Sequence, residues 1–413
     1  MATTTEQIDG SGAPLEPGPP TDQEEEERGN RRLLIFLLAL LGVAAIFLLA
    51  LLLWLLRPES VPEPGQVAGY PIDVVTTIYG YGDGPDEFVN WPLGVAFDEQ
   101  GNVWISNTGE GRAEQYTSEG GYIRSVGVED DFGKLYAPYG LVVDPARDAL
   151  YVADPRGRAV QIYTASTGAY IGHLPADDQD LKVFGDEGFT PFDVGLAGGR
   201  VVVSSNDGLY FFDANGNVVS RWGGTFGRRD APVRGSGLGM FNFPDSFTTD
   251  PATGRVYVAD TLNRRVIALG SEGRWLWVSG RPDKDGKITS FWQLPRGIAV
   301  GPDGNVYVID TFRPDPEGMG TGHFVVLSPD GELLSEFGRN GSDTGSFRFP
   351  EQLARGPEGL WAIADRENDR VVIFRLITPY PEVTDLYAGR YPKTFEDLTG
   401  VAIWSTPQPD SKD

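Results

Sequence analysis

One segment of this chain occurs six times, and no other feature limits its fold as tightly. Its clearest copy starts at Pro244. It continues through Arg255-Val-Tyr-Val-Ala-Asp260 and Arg265-Val-Ile-Ala-Leu269 to Trp275-Leu-Trp-Val-Ser-Gly280. A proline leads into a short apolar run, a glycine-containing turn follows, a second run ends in Asp, and two further runs complete the unit. The anchoring prolines are Pro92, Pro138, Pro191, Pro244, Pro295 and Pro350, spaced 46, 53, 53, 51 and 55 residues apart. A period of that size signals stacked or radially arranged units. Fifteen or 16 positions after each proline stands an acid or amide: Asn107, Asp154, Asn206, Asp260, Asp310 and Asp365.

The runs before those residues, such as Val-Trp-Ile-Ser and Tyr-Val-Ala, are rich in β-branched and aromatic side chains, which suits buried strands. Turns such as Asp98-Glu-Gln-Gly-Asn102 separate the first two strands, with Gly and Asn able to take the positive φ of a tight hairpin. A lone four-stranded sheet leaves a face exposed, so six of them around an axis cover one another. The expected fold is therefore all-β: a six-bladed β-propeller of four-stranded antiparallel blades over residues 73–377. The sixth copy lacks a fourth strand. Asp73-Val-Val-Thr-Thr-Ile-Tyr-Gly80 matches the outermost strands of the other copies, and it is expected to close blade six from the N-terminal side.

The linkers Gly338-Arg-Asn-Gly-Ser-Asp-Thr-Gly-Ser-Phe-Arg-Phe-Pro350 and Gly80-Tyr-Gly-Asp-Gly-Pro-Asp-Glu-Phe-Val-Asn-Trp-Pro92 resemble those of the NHL-repeat family. So do Asp260-Thr-Leu-Asn-Arg-Arg-Val266 and Asp365-Arg-Glu-Asn-Asp-Arg-Val371. The resemblance covers roughly residues 73–377 and implies the six-bladed ring, while leaving function open because one fold hosts many functions.

From Leu33 to Leu56 the chain is uninterruptedly apolar, and 24 such residues would reach roughly 36 Å as a helix, enough for a bilayer. Arg28, Arg31 and Arg32 precede this stretch and Arg57 alone follows closely, so the N-terminus is expected in the cytoplasm and the propeller outside the cell membrane. Residues 1–32 are rich in Thr, Pro, Gly and Glu and are expected to be a disordered acidic tail. Residues 57–72 read as a linker, and residues 378–413 as a C-terminal appendage docked on the propeller side. Cysteine is absent, which excludes disulfides, thiol chemistry and Cys-ligated metals. A formal net charge of −25 disfavours nucleic acid as a partner.

Candidate site residues come from departures in the repeat. After the anchor proline the pattern is an apolar residue and then Gly, as in Pro92-Leu-Gly94 and Pro138-Tyr-Gly140. Departures place Asp193, Asp245, Arg296, Glu351 and Gln352 at the rim of the central channel. Two uses are open: carboxylates converging on a hard cation such as calcium or on a polar ligand, or Arg296 pairing with Asp245 and Glu351 around a water-filled channel. The recurring Asn or Asp after the second strand is read as a local acceptor for loop amides. Arg112, Arg158, Arg265 and Arg370 are read as its partners or as partners of a neighbouring loop. Two linkers on the rim face are long. Residues 223–241 carry a basic patch of Arg228, Arg229 and Arg234, suited to an acidic protein or a glycan, or else to offsetting nearby carboxylates. Residues 311–322 are the second.

Enzymes of similar propeller type include amidating lyases with zinc held by histidines and calcium-dependent lactonases with acidic ligands. Only His173 and His323 exist here, which excludes a three-histidine zinc site. Gly-x-Ser-x-Gly is also absent. The leading expectation is a membrane-tethered module that binds a protein or ligand outside the membrane, as sensor or scaffold of a cell-envelope complex. Its layout is similar to the external NHL domains of bacterial receptor kinases, with Leu33 to Leu56 in the lipid bilayer. The alternative is a calcium-dependent, lactonase-like hydrolase at the channel rim.

Overall fold

The computed structural model describes residues 22–55, 65–66, 71–82, 84, 86–128, 132–176, 181–184, 188–223, 234–237, 239–279, 292–312 and 323–377. The chain divides into two units, Met1–Glu59 and Ser60–Asp413.

Among the described residues, the first unit holds one α-helix, Asp22–Leu55. Its segment Asn30–Leu52 has mean hydropathy 3.1 and is long and apolar enough to cross a membrane. The helix begins earlier than the apolar stretch, inside the segment expected to be disordered. Acidic residues suit a helix start, where aligned peptide dipoles leave partial positive charge, and Asp22 and Glu24 to Glu27 occupy that start.

The second unit is the propeller. Strands Pro92–Phe97, Val103–Asn107, Arg112–Tyr116 and Tyr122–Val126 pair in sequence order to make blade one, and the next four blades repeat the arrangement. Blade six takes Pro350–Arg355, Leu360–Asp365 and Arg370–Leu376 from the C-terminal side and Ile72–Ile78 from the N-terminal side. Its seam is antiparallel, with Ile72 opposite Leu376 and Ile78 opposite Val371, and a bulge between Val74 and Thr76. The closing strand thus starts one residue earlier than expected. The preceding linker adds a short strand, Gly65–Gln66, against Asp73 and Val74.

The core lies between blades. Six apolar clusters occur, each joining two consecutive sheets. Alternation along a strand explains the continuous apolar runs, because successive side chains point to opposite faces. In Val256–Asp260, Val256 and Val258 pack toward blade three, while Tyr257 and Ala259 pack toward blade five.

The inner strands ring the axis and run away from one face, here called the rim face. The linkers between blades and the turns between second and third strands lie on that face. The turn acids do what the sequence reading assigned them. Asn107 accepts from the Asn90 amide at 2.9 Å and Asp154 from the Tyr136 amide at 2.8 Å. Asp260 accepts from the Asn242 amide at 2.8 Å, and Asp310 and Asp365 bind the backbone of their own linkers likewise.

Candidate functional site: the channel rim

The geometry of the rim starts with the anchor proline. In four inner strands the pairing slips just after it, between Pro92 and Val95, Pro244 and Ser246, Pro295 and Ile298, and Pro350 and Leu353. Such bulges re-aim side chains, and three of them, in blades four, five and six, fall where the sequence departs from the repeat.

One position after proline, the six residues are Leu93, Tyr139, Phe192, Asp245, Arg296 and Glu351. Half of this ring is apolar or aromatic and half is ionic. Arg296 donates from one nitrogen to Asp245 Oδ2 at 3.0 Å and to Glu351 Oε2. Arg366 donates to the other oxygen of Glu351 at 2.7 Å and lies 3.7 Å from the centre of the Phe349 ring. Burial pushes the Glu351 carboxyl up to about 7, with Arg296 pulling it down, Asp245 adding to the rise and Arg366 opposing it. Tyr139 completes the wall; burial raises its phenol, helped by Asp245 and Glu351.

Two positions after proline, three blades keep Gly94, Gly140 and Gly297, and the other three carry Asp193, Ser246 and Gln352. These three meet in the channel. Gln352 of blade six donates to Asp193 Oδ1 of blade three, on the opposite side of the ring, at 2.8 Å. Its carbonyl oxygen accepts from the Val95 amide of blade one at 2.9 Å. Asp193 Oδ2 accepts from Ser246 Oγ at 2.8 Å and the Phe247 amide at 3.2 Å. Burial pushes the Asp193 carboxyl up to about 7 against the pull of these donors. The result is a polar bar across the channel. Above it lies a recess of about 20 Å³ lined by Leu93, Tyr139, Phe192, Asp245 and Glu351, roughly the room of one water. Below it a cavity of about 360 Å³ runs between the lower halves of the inner strands.

The five residues chosen from the sequence are thus brought together, in two levels rather than one rim. Asp245, Arg296 and Glu351 form the upper level, while Asp193, only 3% exposed, and Gln352 form the bar beneath. Among the described residues no group of three or more acidic or histidine side chains is placed to hold a metal ion. Asp245 and Glu351 share Arg296, the second of the two uses that the sequence left open. Of the basic patch, Arg234 sits 4.9 Å from the Phe243 ring, while Arg228 and Arg229 lie outside the described residues. His173 is on the outer strand of blade two, 3.2 Å from the Tyr170 hydroxyl.

No protein-family model matches the chain. Peptidyl-glycine alpha-amidating monooxygenases A and B of Xenopus laevis are each 29% identical to it over 153 residues. That stretch is 35% of this chain but only 16% and 17% of those proteins, so the chain spans about a sixth of the curated relatives it matches. Among solved structures, a streptogramin B lyase superposes with TM-score 0.49 and 13% identity, over 73% of this chain and 97% of its own. The Kuenenia stuttgartiensis hydrazine synthase gives TM-score 0.47 and 11% identity, over 76% and 100%.

Sequence reasoning missed Arg366, and a signal for it was present. The residue after the turn acid is threonine in three blades. There Thr108, Thr261 and Thr311 donate to the carbonyls of the next anchors, Pro138, Pro295 and Pro350, stitching neighbouring blades together. Blade six has Arg366 at that position. Its longer side chain reaches inward to Glu351 instead.

Proposed function

We propose that this chain is a membrane-tethered binding module, an extracytoplasmic propeller that recognises a protein or small polar ligand at its channel rim. The observation that carries this reading is the bar formed by Gln352 and Asp193, which gives the channel mouth a floor. Its carboxylates are held by guanidinium, amide and hydroxyl donors. Fixed charges beside an aromatic wall suit selection of a ligand by charge and shape. The apolar helix, with its arginines on the N-terminal side, supports the tether and its orientation.

The absence of native cysteine permits a direct topology test. A cysteine at Ser118, in a propeller turn, is expected to react with a membrane-impermeant maleimide on intact cells, and one at Thr4 only after lysis. The reverse pattern refutes the orientation. For the rim, a photo-crosslinking residue at Tyr139 is expected to give a discrete adduct in membranes that Asp245→Asn removes. An unchanged adduct, or none, refutes recognition there.

A calcium-dependent hydrolase at the same rim is the second reading, supported by the three acidic side chains, Asp193, Asp245 and Glu351, that line the channel. It requires a cation to displace Arg296 from Asp245 and Glu351. Calorimetric titration of the purified protein with calcium, before and after chelator treatment, decides it.

A further inference from the structure

Large apolar side chains are exposed unevenly over the propeller. Most of those on the described surface fall within residues 81–136, on blade one and the linkers that flank it. Trp91 is 56% exposed, Phe132 89% and Tyr136 49%, and Phe88 and the tilted ring pair Tyr81 and Tyr122 are exposed in the same segment. The blade-one turn links the Trp91 and Tyr136 ends of this surface. Gly109 of the blade-one turn abuts Asn90 on one side, and Gly111 abuts the Leu135 and Tyr136 carbonyls on the other.

Trp91 is held in a conformation that its side chain disfavours. The residues before Pro92, Pro244 and Pro350 are Trp91, Phe243 and Phe349, with φ of 49°, 53° and 53°. A bulky residue in the left-handed region is strained. Phe243 and Phe349 pack against neighbours, Phe192 for the first and Arg366 and Phe312 for the second. Trp91 is fixed by its amide, which donates to Asp369 Oδ1 at 2.9 Å, and the Arg366 guanidinium lies 5.4 Å from the centre of its ring, yet the residue stays 56% exposed and keeps ring surface open to solvent.

The sequence around this surface is predominantly acidic. Residues 81–136 carry eleven acidic side chains and three basic ones. Asp86, Glu367 and Asp369 are exposed. The bases are engaged: Arg112 by Glu114 and the Asp86 carbonyl, Arg124 by the Ser166 carbonyl, Lys134 against the Tyr136 ring, and the neighbouring Arg366 by Glu351. Exposed aromatic faces bordered by carboxylates attract cations both through the ring quadrupole and through charge.

We propose that the rim-side surface of blade one is a docking face for a basic protein segment, whose arginine or lysine side chains lie on Trp91 and Tyr136 between Asp86, Glu367 and Asp369. The face adjoins the channel rim through Arg366, which donates to Glu351 and lies over the Trp91 ring, and its test is read independently of recognition at the rim.

The test uses the full-length protein in detergent and a fluorescein-labelled nona-arginine peptide, read by anisotropy at fixed salt. Because the whole molecule is acidic, the comparison is among charge-neutral variants. Trp91→Gly removes the ring and relieves the positive φ, so it is expected to keep or raise Tm while weakening binding about tenfold. Tyr136→Ala is expected to weaken binding several-fold, and Ile171→Ala, on another outer strand, to leave it within twofold. Equal losses in all three variants, or none in Trp91→Gly, overturn the proposal, since binding would then follow the general field. So does equal binding of nona-glutamate. Sedimentation showing a dimer that Trp91→Gly dissociates assigns the face to a second copy and also overturns it. Asp245→Asn at the rim is expected to leave peptide binding unchanged.

Discussion

Gly140 shows why the repeat keeps a glycine two positions after its proline. A Cβ there would lie 2.0 Å from Asp193 Oδ1 and 2.7 Å from the Asp193 Cα. Gly140→Ala is expected to lower stability by about 1–3 kcal/mol through overpacking, measured as a fall in Tm, with disruption of the bar at Asp193. Glu351 is the ionic counterpart. Its two oxygens hold Arg296 and Arg366, so Glu351→Ala, which removes the acceptor shared by two part-buried guanidiniums, is expected to cost about 3 kcal/mol, read as a fall in Tm. Acidity should modulate stability here. Asp193 and Glu351 are raised to about 7 by burial, above the unfolded values near 4. The folded form therefore keeps protons that the unfolded form releases. Their contribution is fully present below about pH 4 and lost as pH rises to about 7. Tm is expected to fall across that window and level off above it, with a shallower slope in Glu351→Gln; a Tm rising through the window contradicts the assignment.

At the scale of the blade, the turn acid and the arginine five residues later form one device. Arg265 donates to Asp260 Oδ2 at 2.7 Å, to the Ser236 carbonyl at 2.8 Å and to the Met240 carbonyl at 2.6 Å. Arg370 repeats this with Asp365 at 2.7 Å, Ser342 at 2.7 Å and Ser346 at 2.8 Å. Each arginine ties the incoming linker to its own blade. Arg265→Lys is expected to cost about 2–4 kcal/mol, because an ammonium cannot span the three acceptors, and calorimetry of the variant measures it. Blade one carries an amide, Asn107, at the acid position, and Arg112 turns to buried Glu114 for its counter-ion and to the Asp86 carbonyl for its linker. The device was legible in the sequence because its spacing recurs. The substitute at Glu114 was not, because it depends on which strand-three side chain lies beside Arg112 once the sheet forms.

Over the whole molecule, the ring is closed by strands almost 300 residues apart. Ile72–Ile78 covers Arg370–Leu376 and contributes Ile72, Val74 and Ile78 to the apolar clusters on both sides of blade six. A chain that begins after Ile78 is expected to aggregate, since it exposes both the Arg370–Leu376 edge and those two clusters. Size-exclusion chromatography checks this. A monodisperse, folded product would show that closure is dispensable.

Six blades, their strand order and the seam follow from local chemistry that repeats: prolines at a regular period, β-branched runs and turn residues able to take positive φ. The candidate residues at the channel mouth follow from breaks in that repetition. Their partnerships do not. That Gln352 reaches across to Asp193, that Arg366 shares Glu351 with Arg296, and that Trp91 stays exposed while Phe349 is covered are set by distances across the ring. Those distances exist only once six sheets have packed around one axis, where residues far apart in sequence come within hydrogen-bonding reach.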